Sequence, residues 1–176
     1  LLLSLPPKDT RLMVSKYSTF SIVASKGIVL AFFGALQALL LGSSLLFILN
    51  LQVNDEIYFM FFLILISWVF IAILQVLLLA LGRAGQIIAI IFLLLQISAS
   101  GAIFPLNSSP IFFQIISPFF PMSYGTSGIN EFIFGTAIKN LSLMVACLFA
   151  FLIGFFILRI IYTRRQLQAI EVYPLP

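Results

Sequence analysis

The chain has 176 residues and a net charge of +4, with 62% hydrophobic and only 8% charged residues. A water-soluble domain carries charge on about a quarter of its residues, so this composition excludes one and requires a surface that meets lipid. The basic residues lie at the edges of apolar runs rather than in one stripe, which argues against nucleic acid as a partner.

Residues suited to catalysis or metal binding are scarce. There is no histidine, and the one cysteine, Cys147, lies within an apolar run. A single cysteine cannot form an internal disulfide, and we interpret it as a small buried hydrophobe. The sequence contains no phosphate-binding loop, metal cluster or Ser–His–Asp set. We therefore expect no enzyme activity and no cofactor.

The first segment, residues 1–5, is apolar but too short to cross a membrane. It lacks the preceding basic region of a signal peptide, and the chain does not begin with Met. We interpret it as the tail of a preceding transmembrane helix, so that the chain is a fragment of a longer protein.

Residues 6–26 have a mixed character. After Pro6 and Pro7, a helix can begin at Asp9 or Thr10. One face of this helix is apolar and consists of Met13, Tyr17, Phe20 and Ala24. The pattern predicts an interfacial helix on the cytoplasmic surface, with a polar linker as the alternative. Its candidate docking residues are Arg11, Lys16 and Lys26, which suit an ATPase or anionic lipid equally.

Four apolar runs are each long enough to cross a bilayer of about 30 Å. They are residues 27–50, 57–81, 86–104 and 141–161, and together they define a four-span membrane domain over residues 27–161. The sequence therefore predicts an all-α membrane protein, with residues 162–176 as a tail.

The charges between these runs predict the orientation of the chain. Basic residues precede the first run, lie at Arg83 between the second and third runs, and follow the fourth run. The loop after the first run instead contains Asp55 and Glu56. The positive-inside rule therefore places both ends of the chain in the cytoplasm, with Lys139 as the single exception.

Residues 105–138 lie outside the membrane in this topology, although they are rich in Phe and Pro. Ile111–Ser117 is too short to span, and a second helix can begin after Pro121 and end near Gly135. Two short helices that enter the bilayer and return would satisfy their own backbone hydrogen bonds. We predict a re-entrant helical hairpin, with an apolar loop lying flat at the headgroups as the alternative.

Polar and small residues within the spans mark the expected contacts between helices. The first three spans each contain one glutamine: Gln37, Gln75 and Gln96. A buried amide in lipid requires a partner on another helix. Small residues recur at four-residue spacing on the first span: Gly34, Ala38 and Gly42. This spacing allows two helix backbones to approach closely, either within the chain or with a partner subunit.

Nearly the whole chain resembles a known family, including Leu36-Gln37-Ala38 in the first span, and residues 96–124 are the most specific part. The matching runs are Leu81-Gly82-Arg83-Ala84-Gly85, Gln96-Ile97-Ser98-Ala99-Ser100-Gly101-Ala102-Ile103-Phe104-Pro105, Ser109-Pro110-Ile111-Phe112-Phe113-Gln114 and Pro118-Phe119-Phe120-Pro121-Met122-Ser123-Tyr124. They resemble the C-terminal membrane domain of the YhgE/Pip family, whose pattern has glycine, histidine and threonine where this chain has Ala102, Ser117 and Ser123.

The resemblance implies part of a six-helix fold like that of type-2 ABC exporter permeases. Residues 6–26 would match a cytoplasmic coupling helix, and residues 105–138 would match external re-entrant helices. The family includes phage-infection proteins and accessory membrane subunits of type VII secretion. The resemblance thus implies the plasma membrane of a bacterium as the location and a homodimer as the assembly.

Two functions remain open at this point. The first is a non-enzymatic anchoring and assembly domain that serves secretion subunits or is used by phage. The second is a permease driven by a separate ATPase, and the fold alone does not decide between them. The sequence favours the first because of the family resemblance. The candidate functional positions are Gln37, Gln96, Phe104, Pro105 and Tyr124.

Overall fold

A computed structural model of the chain describes residues 19–102, 108–135 and 138–172, and all regular structure within these ranges is helical. The α-helices are, in chain order, α1 Thr19–Ser43, α2 Glu56–Gly82, α3 Ala84–Ala99, α4 Ile111–Ile116, α5 Pro121–Phe134 and α6 Ile138–Val172. A π-helical turn, Ser44–Ile48, extends α1, and a 3-10 turn, Ser117–Phe119, follows α4.

Among the described residues, three helices are long and apolar enough to cross a membrane: Gly27–Ile48, Glu56–Gly82 and Asn140–Arg165. They confirm the first, second and fourth predicted spans. The third, α3, is apolar but only about 24 Å long at 1.5 Å per residue. Its predicted end near Phe104 lies outside the described residues.

Two predicted boundaries differ from the observed helices. α1 is continuous from Thr19 into the first span, so no break separates a segment ending at residue 26 from a span beginning at residue 27. Gly27 is the residue least suited to a helix there, and one glycine costs only about 1 kcal/mol in a helix interior. α6 likewise continues to Val172, through most of the predicted tail.

α2 and α3 form a hairpin with almost no loop, and two glycines make this possible. Gly82 has φ 56° and ψ −125°, a conformation that is strained for any residue with a Cβ. A Cβ added at Gly85 would lie 2.5 Å from the Leu77 carbonyl oxygen. Residues eight apart in a straight helix are separated by about 12 Å, so this proximity shows that the chain folds back on itself.

α1 runs antiparallel to α2 and contacts it closely. A Cβ at Gly34 would collide with Ile71 and Ser67, and a Cβ at Gly42 would collide with Met60. Ala38 lies between the two glycines and is buried. The small residues of α1 therefore pack against α2 within the same chain. We call this contact the small-residue interface.

α2 is the central helix of the bundle. Its buried side chains include Phe59, Phe62, Val69 and Ile73. α5 packs antiparallel to α2, with Gly125 against Ile66, Gly128 against Phe62, and Phe132 against both Phe59 and Phe62. α6 covers α5 on another side, where Tyr124 contacts Phe151.

The two ends of the bundle have different contacts. At one end, the Asn54 side chain donates to the Gly135 carbonyl at 3.0 Å and its backbone N–H donates to the Phe132 carbonyl at 3.1 Å. At the other end, Gly27 lies against the Arg159 guanidinium. We call these the Asn54 end and the Gly82 end, since the α2–α3 turn lies at the latter.

Candidate functional site at the meeting point of three helix ends

The end of α3, the 3-10 turn and the start of α5 meet in a small polar cluster. The Ser117 hydroxyl donates to the Ser123 hydroxyl at 2.9 Å. The Ser123 hydroxyl donates in turn to the Ala99 carbonyl at 3.4 Å. Both serines are buried, as is Ser100. We call these serines, together with Gln96, the polar junction.

The local sequence explains why helices end here. Pro121 is the first residue of α5, a position where its missing N–H costs nothing. Ala99 is the last residue of α3, so its carbonyl has no donor within the helix. Ser123 supplies that donor, while the Ser100 hydroxyl donates to the Ile97 carbonyl at 2.9 Å and accepts from the Ala102 N–H at 3.2 Å. Side-chain hydroxyls therefore replace the missing helical partners.

The polar junction lies deep in the bundle. Gly125 of α5 is level with Ile66 of α2, ten residues and therefore about 15 Å from Glu56. Tyr124 contacts Phe151 of α6, which lies eleven residues and about 16 Å from Asn140. Two independent helices thus place the polar junction at the same distance, about 15 Å, from the Asn54 end.

Aromatic side chains hold the junction on two sides. The Tyr124 hydroxyl donates to the Pro118 carbonyl at 2.9 Å and also interacts with the Cys147 thiol on α6. Phe120 stacks edge-to-face on Phe92 of α3, with ring centroids 5.3 Å apart. These contacts fix the 3-10 turn between α3 and α6.

Gln96 is the most deeply buried polar side chain of the junction, with 1% of its surface exposed. Its Oε1 atom has no hydrogen-bond partner, and the same is true of Thr126 Oγ1 on α5. An unpaired buried acceptor costs roughly 1–3 kcal/mol. The junction therefore combines satisfied helix ends with unsatisfied polar atoms.

The chemistry available to this cluster is limited to hydrogen bonding. Its members are neutral hydroxyl and amide groups, and no described group of three or more His, Cys, Asp or Glu residues could hold a metal ion. The arrangement can stabilise broken helices inside the bundle, where buried backbone groups away from a helix must be satisfied by protein.

The structure distributes the other predicted positions over separate regions. Gly34, Ala38 and Gly42 pack on α2, whereas Gln37 is exposed on α1. Gln75 is partly buried on α2, and its Nε2 atom is unpaired. Phe104, Pro105, Arg11 and Lys16 lie outside the described residues, and Lys26 is described only as a position in α1.

Sequence reasoning missed the roles of Ser117 and Ser123, which appeared only as departures from a family pattern. The available signal was two hydroxyl residues on either side of a Pro-Phe-Phe-Pro run. It also missed Ser67 and Trp68 of α2, which donate to the carbonyls of Gly34 at 3.0 Å and Ala31 at 2.9 Å. Adjacent polar groups within a span were the signal for those contacts.

Comparisons with known proteins identify the family. Residues 10–134 match the sequence pattern of the family described as ABC-2 type transporter. The chain belongs to the ABC-2 type transporter family. This match covers α1 to α5, including both partners of the small-residue interface and the serines of the polar junction.

A relative supports the same assignment. The chain is 38% identical over 109 residues to the uncharacterized protein YhgE of Bacillus subtilis (strain 168). The aligned part is 62% of the chain but only 14% of YhgE, so the chain spans a small part of that relative. No solved structure gives a significant match. The predicted resemblance is confirmed, and the chain is a multi-pass ABC-2 membrane domain with a role related to membrane transport.

Proposed function

We propose that the chain is the permease-type domain of an ABC-2 transporter, working as a pair and driven by a separate ATPase. The observation that supports this most is the family match, which extends from residue 10 to residue 134. The sequence alone favoured an anchoring domain, whereas the family match favours the permease.

The proposed topology has four spans in the plasma membrane of a bacterium, with both ends in the cytoplasm. In this arrangement the Gly82 end faces the cytoplasm, and α3 belongs to the third span. The distribution of charge supports it, since Arg83, Arg164 and Arg165 lie towards the Gly82 end while Asp55 and Glu56 lie at the Asn54 end.

We further propose that α4, the 3-10 turn and α5 form a re-entrant hairpin that enters from the Asn54 end. The depth of Gly125, about 15 Å from Glu56, and the contact between Tyr124 and Phe151 support this. A cysteine at position 109 or 134 should react with a membrane-impermeant maleimide in a Cys147→Ser background, whereas one at 122 should not. Equal reactivity at all three would refute the hairpin.

Arg11, Lys16 and Lys26 are the proposed docking residues for the ATPase, because all three are basic and precede the first span. Affinity purification of the full-length protein from native membranes should recover an ABC-type ATPase. The full-length protein should also raise the ATP turnover of that ATPase. The double variant Arg11→Glu with Lys16→Glu should release the ATPase. Lys139→Glu is the control, since it reverses one basic charge on the opposite side of the membrane in this topology.

A second candidate function is an anchoring and assembly domain for secretion subunits or phage. One observation favours it: the aligned region is only 14% of YhgE, so most of that relative lies outside the domain. Recovery of secretion subunits without any ABC-type ATPase would favour this function and overturn the permease.

A further inference from the structure

α1 has an exposed face that contains a polar residue at the depth least suited to one. Gln37 is exposed, and no hydrogen bond joins its amide to another residue of the described chain. It lies ten residues into the span Gly27–Ile48, about 15 Å from its start. That depth is the middle of a hydrocarbon layer of about 30 Å.

An amide that faces lipid has no hydrogen-bond partner, whereas the same group between helices is satisfied. The residues around Gln37 on this face are large and apolar. Leu30 is 42% exposed, Phe33 is 60% exposed and Leu40 is 66% exposed. We call Leu30, Phe33, Gln37 and Leu40 the Gln37 face. It lies about a quarter turn from Ala38 and the small-residue interface, because each residue advances a helix by about 100°.

The spacing of these residues is that of a helix-pairing seam. Positions 30, 33, 37 and 40 alternate by three and four residues, which is the repeat of the inner positions in a coiled coil. A single polar residue at such a position fixes the register and the number of helices. The Gln37 face therefore has an apolar seam and, in Gln37, one polar residue that can fix the alignment of two paired helices.

We infer that two copies of this chain pack together through the Gln37 face, with the two Gln37 amides hydrogen-bonded to each other. Copies inserted in one membrane share their orientation, so Gln37 lies at the same depth in each. An amide carries both a donor and an acceptor, so across a two-fold axis each amide can donate to the other. A helix of different sequence, from this protein or from a partner, would need a polar group of its own at that depth, and it would leave Gln37→Cys without a cross-link to a second copy.

This inference rests on the pair proposed above, and cross-linking tests the contact. The protein is studied in its native membrane with Cys147, and any other native cysteine, replaced by serine. Gln37→Cys and Phe33→Cys should each form a disulfide-linked dimer of twice the mass on mild oxidation. Leu39→Cys is the matched control, since Leu39 is also 41% exposed at the same depth but on the opposite side of α1. It should stay monomeric.

The outcomes separate the contact from the proposed function. Failure of both Gln37→Cys and Phe33→Cys to cross-link, in protein that still elutes as a folded dimer, would overturn the contact and leave the permease intact. A cross-link to a protein of a different mass would also overturn it. If affinity purification recovers no ABC-type ATPase while Gln37→Cys still cross-links, the permease function is refuted and the contact stands. Gln37→Leu should raise the dimer dissociation constant roughly 3- to 30-fold.

Discussion

The small-residue interface and the polar junction both use serine hydroxyls that donate to backbone carbonyls of a neighbouring segment. In the former, Ser67 donates to the Gly34 carbonyl. In the latter, Ser123 donates to the Ala99 carbonyl. The two acceptors differ: Gly34 lies inside α1, where its carbonyl also has a helical partner, whereas Ala99 ends α3.

The hydrogen bond from Ser67 to the Gly34 carbonyl is therefore an additional one, whereas the hydrogen bond from Ser123 to the Ala99 carbonyl is required. A carbonyl inside a helix is already satisfied, so a second donor adds little. A carbonyl at a helix end has no helical donor, and the buried Ala99 carbonyl is shielded from water that could replace one. Glycine provides the close approach at the small-residue interface, and hydroxyl groups provide the stability of the polar junction. Substitutions in the two regions should therefore differ in kind and in size.

The largest effect is expected from Gly34→Leu. A Cβ there already collides with Ile71 and Ser67, so a full side chain must separate α1 from α2. Overpacking of this kind costs about 1–3 kcal/mol or more. Thermal unfolding in detergent, followed by the fluorescence of Trp68, should show a large decrease in stability.

Gly154→Leu is the matched control for Gly34→Leu. A Cβ at Gly154 of α6 would meet nothing within 4 Å, so the same substitution should leave stability nearly unchanged. If both variants lose stability equally, close approach at Gly34 is not what holds α1 to α2.

The second effect is expected from Ser123→Ala. This change leaves the Ser117 hydroxyl and the Ala99 carbonyl without their partner. Because the bond to Ala99 is long at 3.4 Å, the two losses together should cost roughly 1–3 kcal/mol. Ser123→Thr retains the hydroxyl and should preserve stability. Ser98→Ala is the control, since the exposed Ser98 donates only to Leu94 of its own helix. An equal loss in Ser98→Ala and Ser123→Ala would contradict a special role for the junction.

A smaller effect is expected from Ser67→Ala. The Gly34 carbonyl keeps its helical partner, so the loss should be close to the average of about 0.6 kcal/mol measured for hydrogen bonds between membrane helices. Unfolding of Ser67→Ala and Ser123→Ala under identical conditions compares the two bonds directly. A larger loss in Ser67→Ala would reverse the distinction between additional and required bonds.

The sequence predicted the helical membrane class, four spans of which three are confirmed, and the start of α5 near Pro121. These features follow from local patterns: apolar length sets a span, and proline at a first helical position sets a helix start. The small residues of α1 indicated a close helix contact but not its partner. The choice of α2 as partner depends on side chains such as Ser67 and Ile71, which a pattern within α1 does not contain.

The polar junction was not predicted because its parts are distant in sequence. Ala99, Ser117 and Ser123 meet only after α3 and α5 have packed on α2. Each serine alone is an ordinary polar residue near a proline. Gln96 and Gln37 also show the limit of such reasoning, since both were predicted to face other helices at similar depth. The structure buries Gln96 and leaves Gln37 exposed, a difference set by packing around α2.

Gln37→Leu should have the smallest effect on the single chain and thereby complete the comparison between its regions. Gln37 contacts neither the small-residue interface nor the polar junction, so its replacement by an apolar side chain should leave the thermal unfolding of the monomer unchanged or slightly raised. Gln96→Leu should instead alter that unfolding, because Gln96 is 1% exposed within the packed bundle. A marked loss of monomer stability in Gln37→Leu would mean that its amide is satisfied within one chain, and the exposed face of α1 would then need no second copy.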